Sequence, residues 1–108
     1  MKFKVVEKVN GLLVKLDVTL DNGVMVRSGT ARAQEGKKKL SKVRLVTPIS
    51  KIATVTLTEE RMRLPKVLVS LISGEEHEFS VIASKRKGLG TPEEFADTLT
   101  LLMGTYGQ

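Results

Sequence analysis

The chain has 108 residues, with 18 Lys and Arg against 12 Asp and Glu (net charge +6), one histidine and no cysteine. These counts exclude a disulfide framework, a thiolate metal site, a cysteine nucleophile and most zinc chemistry. The length fits one domain, residues 1–108, able to bury roughly two thirds of the surface its unfolded chain exposes. No apolar run approaches the ~20 residues that span a bilayer, so there is no transmembrane segment, and the opening MKFKVVEKV alternates charge with apolar residues where a signal peptide is continuously apolar. A soluble protein of a reducing, cytoplasmic compartment is expected.

The first third of the chain has a period of two. Phe3 and Val5 alternate with Lys2 and Lys4, and Leu12, Val14, Leu16, Val18 and Leu20 share one face opposite Lys15, Asp17 and Thr19. Asn22-Gly23 supplies the positive φ angles of a type I′ turn, and Val24 and Val26 open the return strand, so a hairpin spans about Leu12 to Thr30. From Ala31 to Lys42 the pattern gives way to a polar loop, ARAQEGKKKLSK. Alternation resumes at Val43-Arg44-Leu45-Val46, breaks at Thr47-Pro48, and restarts with Ile49, Ile52, Val55 and Leu57. Residues 59–65 have no period and read as a loop. A second hairpin follows, with Val67, Val69 and Leu71 facing Phe79, Val81 and Ala83 across Ser73-Gly74-Glu75.

After Gly90 the period changes. Thr91 and Glu94 form a capping box, Pro92 suits the first helical position, and Phe95, Leu99, Leu102 and Met103 recur at helical spacing. Gly104 is placed to end a helix of three turns as a left-handed C′ residue. The fold class is therefore mainly β: a small antiparallel barrel or orthogonal sandwich of about seven strands, capped by one C-terminal α-helix.

This order of elements resembles the pleckstrin-homology-like superfold, in particular its prokaryotic PH-like and GRAM-like domains. The likeness runs from Leu45 to Met103. There LVTPISKIATVTL is similar to the strand, proline break and re-entry of those domains, VLVSLISGEEHEFSV to their glycine-turn hairpin, and TPEEFADTLTLLMG to their C-terminal helix. The resemblance implies a binding or scaffolding module and a tendency to form oligomers, often rings. The first-hairpin connection, Lys8-Val9-Asn10-Gly11, lacks the cluster of cations that phosphoinositide-binding members carry there.

Charge is unevenly placed: residues 1–54 hold 12 Lys and Arg against 4 Asp and Glu. The densest basic site, Lys37, Lys38, Lys39, Lys42 and Arg44, with Arg32 nearby, could grip phosphates of nucleic acid or of acidic lipid headgroups, or could be a solvated loop. A secondary basic loop, Lys85, Arg86 and Lys87, precedes the helix. Two glycines beside it suggest a phosphate cradle, but Thr91 and Glu94 take up the free helix-end donors, and the stretch reads better as a flexible joint. Only four aromatic residues occur, too few for stacking platforms that read bases. His77 sits between Glu76 and Glu78, whose side chains leave the strand on the opposite face, so it reads as a rim histidine rather than a general base. Leu68 and Ile72 sit opposite Val67, Val69 and Leu71, so that strand is apolar on both faces, and with Ile82 they form a possible interface.

A cofactor is not indicated, and catalysis lacks positioned acids, bases or metal ligands. The function expected is a non-enzymatic binding or scaffolding module for a protein partner or an anionic surface. The alternatives are a small basic nucleic-acid-binding β-barrel protein and a structural subunit of a homo-oligomer.

Overall fold

A computed structural model describes residues 2–32 and 40–107. Seven strands form one antiparallel sheet: β1 (Phe3–Val9), β2 (Leu12–Asp21), β3 (Val24–Arg32), β4 (Leu40–Pro48), β5 (Ile52–Thr58), β6 (Lys66–Leu71) and β7 (Glu76–Val81). One helix, α1 (Pro92–Tyr106), follows. The strand order is β4-β3-β2-β1-β7-β6-β5, two meanders joined where β1 meets β7 at Val5↔Val81. The mainly β class with one C-terminal helix is thus observed, and no helix among the described residues is long and apolar enough to cross a membrane.

Turn chemistry sets the register. Asn10-Gly11 (φ 49° and 81°) and Asn22-Gly23 (φ 51° and 74°) both occupy the left-handed region that a type I′ hairpin requires. They lock Val9 against Leu12 and Asp21 against Val24. Pairing then carries Phe3, Val5, Val14, Leu16 and Val18 to one buried face. The strands around the basic loop run beyond the alternation, with β3 continuing to Arg32 and β4 starting at Leu40, because the ladder extends through Thr30↔Lys42 and Ala31↔Ser41 whatever the polarity of those residues. Pro48 ends β4, and a single 3-10 turn, Ile49–Lys51, leads directly into β5.

The sheet is rolled. β3 and β7 are three places apart in the strand order, about 14 Å in a flat sheet, yet the Arg27 guanidinium of β3 lies 5.1 Å from the ring centroid of Phe79 on β7. Gly29 permits the bend: a Cβ there would stand 2.2 Å from the Lys15 carbonyl oxygen. The helix seals one side of the roll with Phe95, Ala96 and Leu99, all buried. Phe95 packs edge-on against both Phe3 (5.1 Å) and Phe79 (5.9 Å). Its start is held by the capping box, Glu94 N–H donating to Thr91 Oγ1 and Thr91 N–H to Glu94 Oε1, each at 3.1 Å. The helix does not end at Gly104. That residue is helical and the helix reaches Tyr106, about four turns, with Gly107 N–H donating to the Met103 carbonyl at 2.7 Å in extended backbone.

Candidate functional site

The inward positions of β1 are Phe3, Val5 and Glu7, and those of β3 include Met25 and Arg27. Val24 and Val26, which open the return strand, are only half-buried. Two charged side chains are thereby placed inside the roll: Arg27 is 2% exposed and Glu7 4%. Arg27 Nη1 donates to Glu7 Oε2 at 3.4 Å and lies 3.2 Å from Oε1, without the alignment of a hydrogen bond to the latter. Nη2 donates to the buried hydroxyl of Thr47 on β4 at 3.4 Å. The guanidinium also stands over Phe79, and the His77 ring stacks on that same residue at 6.2 Å.

This pair is incompletely satisfied. Its distances exceed the 2.7–2.9 Å of a tight charge-assisted pair, and Arg27 Nε and Glu7 Oε1 have no hydrogen-bond partner among the described residues. Desolvating two charges costs several kcal/mol per ion, which mutual attraction repays only when geometry is good and remaining donors and acceptors are filled. The electrostatics carry the same signature. Burial raises the Glu7 carboxyl above its ordinary range, against the pull of Arg27. Burial likewise lowers Arg27, against Glu7 and Glu75, though from so high a starting value that it keeps its proton at neutral pH. His77 is held below the usual imidazole value by burial and by the Arg27 charge, with Glu75 opposing. It is therefore neutral at pH 7.

The cluster opens onto a cleft of about 320 Å³ between β4 and the β6–β7 turn. Arg27 and Thr47 floor it, Leu45, Val46 and Pro48 form one wall, Leu71, Glu75 and His77 the other, and Lys51 stands at its end. The cleft follows from strand order: β4 and β5 are the two edges of the sheet and do not pair with each other. Among the described residues its β4 wall is consequently a strand with one ladder of backbone N–H and C=O groups unused.

Of the basic site read from the sequence, Lys42 and Arg44 are exposed on β4 beside this cleft, while Lys37, Lys38 and Lys39 lie outside the described residues. Lys85, Arg86 and Lys87 are exposed on a turn closed by backbone hydrogen bonds. Ser84 and Leu89 exchange backbone hydrogen bonds (2.8 and 3.3 Å), and Gly90 N–H donates to the Lys2 carbonyl. At the start of the helix that follows, the Glu94 and Phe95 N–H groups both donate to Thr91. His77 is inward and half-buried, 3.9 Å from Glu7 and 3.6 Å from Glu75, while its sequence neighbours Glu76 and Glu78 are exposed. The apolar trio is dispersed. Leu68 lies in a cleft beneath the 59–65 loop, Ile72 (63% exposed) in another beside Met103, and half-buried Ile82 donates its N–H to the Lys4 carbonyl.

Sequence reading missed Glu7, Arg27 and Thr47. Glu7 was within reach, since it continues the inward series Phe3, Val5. Arg27 was not, because Val24, Met25 and Val26 are all apolar and leave the phase of β3 open. Comparison of the chain with protein-family models, with curated proteins and with solved structures finds no match.

Proposed function

We propose that this chain is a non-enzymatic binding module that takes a segment of a protein partner in the seam between β4 and the β6–β7 turn. The observation that carries the reading is Arg27: a buried guanidinium with an unpartnered Nε, flooring a cleft beside an unpaired strand. Partner recognition suits such a site because a partner's acceptor supplies the missing bond in a low-dielectric setting, where it is worth most. A catalytic role is less suited. The neutral imidazole of His77 has only Thr47 as a nearby hydroxyl in the cleft, and that hydroxyl is already engaged by Arg27. Seven antiparallel strands followed by one helix also support the pleckstrin-homology-like assignment.

Selection of a phage-displayed library of random dodecapeptides on the immobilised protein tests this. Clones are expected that bind wild type and lose binding to the Glu7→Met/Arg27→Met double variant, which replaces the pair by apolar groups at little cost to folding. Amide shifts induced in wild type by the selected peptides should fall on residues 44–48 and 71–77. Shifts confined to other strands, or clones indifferent to the double variant, overturn the reading.

A further inference from the structure

Resting on that reading of the seam, we propose that its occupant is an acidic, extended peptide segment that adds to the free edge of β4 as an eighth strand. The charges of the edge select the partner. From Leu40 to Lys51 the chain carries Lys42, Arg44 and Lys51 and no acidic residue. Lys42 and Arg44 are exposed, as is Val46 (51%), and they lie two apart along β4, so they share the outward face while Val43, Leu45 and Thr47 share the inward one. A strand placed ~4.8 Å beyond β4 enters the cleft. Its outward acidic side chains stand opposite Lys42 and Arg44, its inward apolar side chains meet Leu45 and Leu71, and one inward carboxylate meets the Arg27 guanidinium at the cleft floor. Main-chain bonds supply affinity and the alternate side chains supply specificity, as in strand addition generally.

The same charges argue against a second copy pairing through β4. Two such edges side by side bring like charges into direct opposition, which is destabilising. Glu75 is the carboxylate of the cleft, on the wall away from β4 and within 3.6 Å of His77, so it leaves the charge of the β4 edge unopposed.

The probe is the labelled peptide Glu-Val-Glu-Asp-Glu-Val-Glu, whose glutamates share one face and whose central aspartate lies on the other with the valines. It is expected to bind wild type, to protect β4 amides from hydrogen exchange, and to weaken steeply with salt. Methylating alternate backbone nitrogens of the probe should abolish binding. Lys42→Glu/Arg44→Glu should weaken it about tenfold, the scale of two cross-strand charge pairs, and should turn preference to the peptide with lysine in place of glutamate. Changing the central Asp of the probe to Val should cost about tenfold, the scale of one hydrogen bond to a charged group, on wild type and nothing on the Glu7→Met/Arg27→Met variant. Equal binding of the methylated probe, indifference to charge reversal, unprotected β4 amides, or capture of phosphatidylglycerol vesicles or RNA by Lys42 and Arg44 with no peptide binding each overturn the proposal. If dodecapeptides bind the seam but are neither acidic nor extended, this inference falls while the seam reading stands. If nothing binds there, both fall.

Discussion

Phe79 divides the interior in two. On one side its ring meets Phe95, which with Phe3, Val5, Leu16 and Leu99 forms a wholly apolar packing under the helix. On the other it carries Arg27 and His77, with Glu7 and Thr47 behind them. Arg27 and Glu7 are buried like the apolar residues while His77 is half-buried, and the two halves are held differently. The apolar half gains from every contact it makes, and closes. The polar half has bonds left over, and lies open to the seam. One small protein thus holds one region whose contacts are complete and another with polar atoms left unpartnered among the described residues.

The largest effect is expected in the apolar half. Phe95→Ala removes a fully buried ring touching two others and should cost about 4 kcal/mol, read from urea unfolding. A loss below about 1 kcal/mol would show that the helix does not carry the packing. The contrast sharpens at Glu7. Glu7→Gln strands the Arg27 charge and should cost about 3 kcal/mol, whereas Glu7→Met/Arg27→Met should be close to neutral. A double-mutant cycle of Glu7→Met, Arg27→Met and the double variant in which the two single changes simply add would mean that the pair is uncoupled. Thr91→Ala, removing the cap that seats the helix, should cost about 1 kcal/mol by thermal unfolding.

The smallest effect is the pH dependence of the polar half. The folded His77 has a lowered pKa, so its contribution is present above the ordinary imidazole value of about 6.5 and is lost as pH falls from there through the lowered value. Glu7 runs the other way. Its raised pKa gives stability at low pH that is lost as pH rises from about 4.3 through the raised value. Between pH 7 and 5, His77→Asn should therefore lose less stability than wild type. An identical pH profile would mean that the imidazole senses neither burial nor Arg27.

The same division governed what could be read in advance. The apolar half is written in repeats of two and of three to four, and β2, the second hairpin and the capping box follow directly from Leu12 to Leu20, Val67 to Val81 and Thr91 to Glu94. The break expected at Thr47-Pro48 comes later, at Ile49–Lys51, because β4 stays paired to β3 through Pro48. The polar half has no period of its own, because a charge at an inward position looks like one on a surface until pairing fixes its phase. The meeting of β3 and β7 depends on the roll that Gly29 permits, a tertiary event beyond any local window. Gly104 misled for a related reason: a glycine is a stop only where the chain has somewhere else to go, and here the last turn continues until the Tyr106 ring lies over Gly23, 2.8 Å from where a Cβ would be.

The 3-10 turn Ile49–Lys51 is the sole covalent link between the two sheet margins, and it is pinned at both ends, Ile49 N–H to the Gly23 carbonyl and Ile72 N–H to the Lys51 carbonyl. The separation of the two margins is therefore set beside Pro48, where the chain passes directly from one to the other. On the proposed reading of the seam, side-chain size in a bound segment is expected to be read most strictly next to Lys51.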